Sequence, residues 1–565
     1  MRRVGVRPSL LRPVDALLPP VCNTGGRVKK RVRLVRFRAD WLQVVSLGMD
    51  LDEKLRVAWS RIQKDRSTDF VIGDFEYLVF AAHAPDLLAS LEEALNSGVE
   101  FGSAPLRTIR VPKDTRSHTT RPGAVPEIDD RIVYQHFVDE LAESVEPSLV
   151  PIEERVVHSY RYAGDRASAE MFVEVSRASY GTFQQQVAAI GERHAYLVVA
   201  DIADFYERLY HHVLENLLRG LGAPVDVVTD LMGLLRRMRR GTSYGIPQGV
   251  WPSDYLGNLY LDSVDKFLVR TGLDYCRFVD DIRIGVDSVA EGERVLQTLE
   301  TQLEPLGLSL NGGKTQIIPQ SEVEGVLMPY NARLAEISTE LRAAWLAASP
   351  YEVSEEELPA LDQAVNVASL VALFREQLAL ASPDHTVLRF CVRRFRAFVV
   401  VDVLDEILAN LGRLVIVTQA IVPYLVKVAA ETERAPDIVR GVTQYLRSGE
   451  AAYDWQVMWL LQLLYRLTDI SPETLAFVRD HVLEGRGGHD AVTVSGILLL
   501  GKHGDHADRE LLTRIYDREA NPWVKRAILF AVQDLPATQR NHFYGYCRGV
   551  DRLTDRVIDY VLARH

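Results

Sequence analysis

The chain reads as an α+β module followed by an all-α region, and three observations carry that reading. From Tyr196 to Pro319 strand-like runs alternate with helical patterns. After about Pro329 the strand signals stop, and nearly everything beyond is helix-patterned with polar breaks. The length, 565 residues and 63.6 kDa, exceeds what one hydrophobic core usually supports, so several domains are expected.

Composition narrows the class. The apolar share is 47% and the charged share 25%, which excludes global disorder, collagen-like repeats and a disulfide scaffold. No uncharged apolar run reaches the roughly 18 residues of a membrane span. Cys22, Cys276, Cys391 and Cys547 stand far apart with no CxxC pair, which argues against a zinc site and fits a cytoplasmic protein. The net charge is −12, but it is uneven: the first 48 residues carry eleven Lys/Arg against Asp15 and Asp40, leaving a balance of −21 elsewhere. So acidic a chain repels nucleic acid over most of its surface, and any work on nucleic acid belongs to a local groove where metal ions offset the phosphates.

Taken in order, residues 1–48 are a basic extension with little periodicity, read as upstream translation or a disordered tail, because Met49-Asp50-Leu51-Asp52-Glu53 resembles a chain start running into a helix. Residues 49–190 begin with helical spacing (Leu55, Val57, Ala58, Trp59, Ile62). They continue through short strands and turns between Phe101 and Gln135, and reach a helix opening near Asp130. Residues 191–330 hold the buried-strand run Tyr196–Ala200, two short strands around an acidic turn in Tyr275–Val286, and a helix over Ser288–Leu306. Short strands at Leu308–Leu310 and Thr315–Ile318 complete that module. In residues 331–565, Asp454, Asp490 and Pro522 each open an apolar helix, 36 and then 32 residues apart, the pattern of stacked HEAT-like helical hairpins. Trp455, Trp459 and Trp523 read as core ridges of those helices.

The chemistry lies in two acidic sites about 80 residues apart. Asp201 ends the strand Tyr196–Ala200, and Asp280-Asp281 sit in the turn of Tyr275–Val286. A carboxylate at the end of a buried strand is exposed at a sheet edge, and a neighbouring hairpin would bring Asp280 alongside it. Carboxylates converging there repel each other unless cations sit between them, and two bridged Mg²⁺ ions are suited to in-line phosphoryl transfer. The plainer reading, a solvated Asp-Asp turn, weakens because other motifs follow in order. Gly245-Ile246-Pro247-Gln248-Gly249 comes 44 residues after Asp201 and precedes a helix near Ser253. Leu306–Leu310 with Asn311 and Lys314 follows the acidic hairpin, and Val111-Pro112-Lys113 and Arg121-Pro122 lie upstream.

This order and spacing resemble the reverse transcriptases, over roughly Phe101 to Tyr330. The resemblance implies the palm and fingers of the right-hand reverse-transcriptase fold and a nucleotidyltransferase that adds deoxynucleotides. It assigns Asp201, Asp280 and Asp281, with the Ile202 carbonyl, to two Mg²⁺ ions, for which Mn²⁺ could substitute. Asp280 is the surer ligand of the adjacent pair, since neighbouring residues in extended chain point opposite ways. Tyr206 matches the steric gate that excludes a ribose 2′-hydroxyl. Lys113 and Arg121 match the cations that hold the incoming triphosphate, with Arg110 and Arg116 as alternatives to Arg121. Gln248 matches the residue beside nucleotide and template. Lys314 matches the acid that protonates pyrophosphate, against the plainer reading of a solvated turn lysine. Phe278 stands where the family's hairpin starts with Tyr, and Asp204 and Asp254 are extra acids near the expected site. The Arg131 to His136 spacing resembles that of small ribonucleases but lies in a finger helix.

With a long helical tail and no nuclease or integrase segment, the chain resembles the bacterial reverse transcriptases of abortive infection and antiphage defence. In those, a helical repeat domain replaces the thumb. That resemblance implies synthesis without a conventional template, a protein hydroxyl as primer, DNA covalently attached to protein, and a homo-oligomer. A retron-like or intron-like enzyme copying a dedicated noncoding RNA competes with it, and a basic patch on the helical domain would favour that alternative. An inactive RNA-binding scaffold is the reading from another class, and the intact Asp201, Asp280, Asp281 and Tyr206 argue against it.

Overall fold

The computed structural model describes residues 50–66, 70–97, 104–113, 118–174, 178–327, 363–483 and 489–564. The basic stretch 1–48, Arg116 and residues 328–362 lie outside the described residues.

Three N-terminal helices, α1 (Leu51–Asp65), α2 (Asp74–Ala82) and α3 (Ala84–Asn96), lead into the hairpin β1 (Arg107–Pro112) and β2 (Thr120–Val125), followed by α4 (Ile128–Val145). The Asp50 carboxylate caps α1 by accepting from the Glu53 amide at 2.9 Å. Leu55, Ala58, Trp59 and Ile62 are buried along one face of that helix, as their spacing predicts, whereas Val57, expected with them, is only half-buried. Arg131 and His136 are buried within α4. Arg131 pairs with Asp65 at 2.8 Å, and burial pushes His136 down to about 3, so their spacing belongs to the core.

The next module is a four-stranded antiparallel sheet in the order β4-β5-β3-β6, where β3 is Tyr196–Asp201, β4 Tyr275–Phe278, β5 Asp281–Val286 and β6 Gln316–Pro319. Strand β3 is central and nearly all buried, which its continuous apolar run requires. Helix α5 (Tyr180–Arg193) precedes β3; α6 (Phe205–Arg208), α7 (His211–Gly220), α8 (Val225–Met238), α9 (Trp251–Tyr260) and α10 (Asp262–Thr271) connect it to the hairpin. Helix α11 (Val289–Leu303) connects the hairpin to β6. One expectation fails: Leu308–Leu310 forms no strand. After Gly307 turns the chain with a positive φ of 73°, the segment offers only an isolated bridge from Leu310 to Ile202. Its hydrogen bonds go instead to the end of β3, with the Ala203 amide donating to the Ser309 carbonyl at 2.9 Å and the Asn311 amide to the Asp201 carbonyl at 2.7 Å.

Among the described residues, helices joined by turns and loops follow helix α12 (Gln320–Leu327), with no strand. The helices Gln363–Ala379, His385–Phe398, Thr418–Glu431, Asp454–Arg466, Asp490–His503, Pro522–Ala531 and Arg552–Leu562 each pack against the next, with further helices between them in sequence. Trp455, Trp459 and Trp523 are buried, as expected of core ridges. This stack docks on the finger side. The Trp455 indole donates to the Phe70 carbonyl at 3.1 Å, Phe75 and Phe530 rings lie 5.5 Å apart, and Arg107 stacks 4.5 Å above Trp523. Arg526 reaches Glu76 and Glu127 at 2.7 Å each, and Arg107 contacts the same two acids.

Candidate active site

Antiparallel register sets Asp201 at the end of β3 directly opposite Asp281 at the start of β5, with Asp280 in the two-residue turn between β4 and β5. A turn this tight needs left-handed backbone. Val279 supplies it at φ +55°, an uncommon conformation for a β-branched residue that costs about 1–3 kcal/mol. Hydrogen bonds offset that cost: the Val279 amide donates to Ser159 Oγ at 2.9 Å, and its carbonyl accepts from Arg277 at 2.8 Å. Arg277 is itself fixed by a buried two-point pair with Asp265, at 2.9 and 2.5 Å. Ser159, Asp265 and Arg277 thus hold the acidic turn in shape, a role with no local sequence signature because the three meet only in the fold.

A cavity of about 1170 Å³ opens above this turn. Asp201, Ile202, Tyr206, Asp280 and Lys314 line it from the palm, Gln248 from the Pro-Gln-Gly turn, and Lys113 and Arg121 from the fingers. Arg110 lines it as well. Asp281 is not among the lining residues; its carboxylate lies 3.5 Å from Arg283. Of the site residues expected from sequence, Lys113, Arg121, Asp201, Ile202, Tyr206, Gln248, Asp280 and Lys314 line this cavity, and Asp281 does not. Gly249 makes the Gln248 turn possible, since its φ is +89° and a Cβ there would stand 2.8 Å from the Phe70 ring. The same Phe70 ring carries the Arg121 guanidinium at 4.9 Å. Lys113 lies 3.8 Å from Asp204.

The floor of the cavity carries surplus negative charge. Burial, then the charges of Asp281 and Asp201, push the Asp280 carboxyl up to about 7. Asp201 is held from both oxygens, accepting from Asn311 Nδ2 and from Lys314 Nζ at 2.8 Å each. Lys314 is accordingly raised above the usual lysine value, its Asp201 partner outweighing partial burial. Its ammonium offsets the charge of Asp201. Among the described residues no group of three or more His, Cys, Asp or Glu is arranged to hold a metal ion. The donors present are two carboxylates and the Ile202 carbonyl, an all-oxygen set that suits a hard cation such as Mg²⁺.

The opposite wall comes from a source sequence reasoning did not single out. Arg389 and Arg393, one turn apart on the helix His385–Phe398, and Gln419 line the same cavity. That helix holds Arg389, Arg393, Arg394 and Arg396 and no acid, which was the available signal. No described helix is long and apolar enough to cross a membrane.

The chain was compared with protein families, curated proteins and solved structures. The family described as "Reverse transcriptase (RNA-dependent DNA polymerase)" matches residues 111–326. A curated relative, Protein YkfC of Escherichia coli (strain K12), is 23% identical over 333 residues, covering 52% of this chain and 80% of its own. Among solved structures, telomerase of Candida albicans in complex with a TWJ fragment of telomeric RNA aligns with a TM-score of 0.29 and 11% identity, covering 64% of this chain and 67% of its own. Apo telomerase of Candida tropicalis aligns with a TM-score of 0.30 and 11% identity, covering 69% and 75%. The chain carries a reverse transcriptase domain and is a nucleotidyltransferase of the RNA-directed DNA polymerase class.

Proposed function

We propose that the chain synthesises DNA from deoxynucleoside triphosphates at the Asp201–Asp280 floor, with Mg²⁺ as its metal, in antiphage defence. The observation that carries the reading is the meeting of Asp201, Asp280, Tyr206, Gln248, Lys113 and Arg121 at one cavity. Asp201, Asp280 and the Ile202 carbonyl would hold Mg²⁺, with Asp281 adding negative charge from the facing strand. When bound, the metal supplies the charge that activates the attacking hydroxyl and stabilises the leaving pyrophosphate. Lys113 and Arg121 bind the triphosphate, Gln248 faces the base, and the Tyr206 ring fills the space of a 2′-hydroxyl. Lys314, within the same cavity, delivers a proton to pyrophosphate once it leaves Asp201.

The helical stack that begins at Gln363 acts in place of a thumb, and its helices from His385 onward, spaced 30–36 residues apart at their starts, fit HEAT-like repeats. The defence role, protein priming, homo-oligomer assembly and cytoplasmic location rest on the resemblance of the whole architecture. Arg389 and Arg393 favour the second reading, the copying of a dedicated noncoding RNA, because a basic face on the helical region suits a bound strand.

Purifying the full chain, digesting separately with protease and with nuclease, and sequencing the nucleic acid that remains tests these readings. DNA that stays attached to protein supports self-priming, and one unique bound RNA supports templating. In the same preparation, Tyr206→Ala should admit ribonucleotides; wild-type protein that prefers ribonucleotides would overturn the DNA-polymerase reading.

A further inference from the structure

We infer that Asp254 is a positioning residue that sets the choice between deoxy- and ribonucleotides by anchoring Tyr206. The inference rests on the reading of the chain as a deoxynucleotide polymerase and adds a residue to its specificity.

Tyr206 lines the cavity beside Asp280 and is only 8% exposed. Its hydroxyl donates to Asp254 Oδ1 at 2.7 Å, a short hydrogen bond of the charge-assisted kind. Asp254 sits in the first turn of α9, immediately after the Pro-Gln-Gly turn. One helical turn on, Gly257 leaves room for the ring itself, since a Cβ there would stand 3.2 Å from Tyr206 Cε1 and 3.0 Å from Phe205 Cε1. The backbone is tied to the same region, with the Ile246 amide donating to the Tyr206 carbonyl at 3.0 Å. Helix α9 therefore holds the tyrosine at two points, the ring edge and the hydroxyl, while the turn before it holds the main chain.

A wall excludes a 2′-hydroxyl only if it does not yield. A tyrosine fixed at its backbone and ring edge alone can still swing about its side-chain torsions, and a ribonucleotide needs only a small displacement. The hydrogen bond to Asp254 removes that freedom at the far end of the ring. Losing it also leaves a buried hydroxyl without its acceptor, which favours departure from the observed position.

The test is the ratio of kcat/KM for a deoxynucleotide to that for the matching ribonucleotide, measured on the full chain. Asp254→Ala should lower this ratio about tenfold. Asp254→Asn, whose amide oxygen still accepts, should keep most of it. Tyr206→Phe, which removes the same bond from the other side, should lower it comparably, and adding Asp254→Ala to Tyr206→Phe should change it no further. A purely structural role would lower both nucleotides together and leave the ratio alone. If Asp254→Ala does not fold, Tyr206→Phe decides: an unchanged ratio overturns the inference. A further fall in the double variant also overturns it, since Asp254 would then act on the sugar directly. Wild-type protein that incorporates no nucleotide overturns the polymerase reading, and this inference with it.

Discussion

Among the described residues, the carboxylates where the helical stack meets the fingers and those at the palm floor are balanced in opposite ways. Where the helical stack meets the fingers, Glu76 and Glu127 each contact both Arg107 and Arg526, at 2.5–2.7 Å. Burial alone would push Glu127 up, but the two arginines outweigh it and hold its carboxyl below the usual value. At the palm floor, burial and the neighbouring charges of Asp281 and Asp201 push Asp280 up to about 7, with Lys314 on Asp201 and Arg283 near Asp281 as the cations at hand. In the first set Glu76 and Glu127 are matched one for one by Arg107 and Arg526, with Asp551 4.0 Å from Arg526, and the set joins two parts of the chain. The second is short of positive charge, so it gains from a cation brought from solution. The same residue type is a fastener in one place and a site in the other, and the local charge count separates the two.

Breaking the palm cluster should have the largest effect. Joining Asp280→Ala to Asp201→Asn should lower deoxynucleotide incorporation at least about a thousandfold while the protein stays folded, because the variants relieve repulsion rather than remove packing. Incorporation measured with Mg²⁺ at wild-type rates would remove the palm assignment. The fingers cluster should respond in stability instead. Arg526→Ala leaves Glu76 and Glu127 under-compensated and should cost about 3–5 kcal/mol, read by urea unfolding. A loss below about 1 kcal/mol would mean the interface is held by its apolar contacts alone.

That interface also changes how the helical region is best probed. Deleting residues from 336 onward would strip partners from Phe75, Glu76 and Glu127, so lost activity would not isolate a strand-holding role. Reversing Arg389 and Arg393 to Glu is cleaner. Affinity for a labelled oligonucleotide should fall, and the salt dependence of binding should flatten by about 1–2 in slope. An unchanged slope would take those arginines out of the strand path.

The palm was legible in the sequence because its chemistry depends on short local motifs. Asp201 at a strand end, Phe278-Val279-Asp280-Asp281 between two strands, and Gln248 in a glycine-bounded turn each carry their geometry with them. The strand expected at Leu308–Leu310 failed because apolar alternation over three residues cannot distinguish a ladder from a segment that caps another strand's end. The supports of the site were not legible at all. Ser159 reaches the acidic turn from 120 residues away, and Asp265 acts on it through Arg277, 12 residues further on, with nothing near either in sequence to mark the contact. The docking of Arg526 on Glu76, 450 residues away, is equally invisible to local pattern.

The measurement that tests the contrast most directly is thermal unfolding of wild type and Asp280→Asn, with and without Mg²⁺, from pH 4 to pH 8. Because the folded-state value of Asp280 lies above the unfolded one, its contribution is fully present below about pH 4 and is lost as pH rises through about 7. Metal-free wild type should therefore lose stability relative to Asp280→Asn across that window, on the order of 1 kcal/mol or more. At pH 8, Mg²⁺ should restore wild type, by about 2.7 kcal/mol when present at a hundred times its dissociation constant, and should do little for Asp280→Asn. Equal responses of the two proteins to pH and to Mg²⁺ would contradict the account, for the palm acids would then be as balanced as those at the fingers.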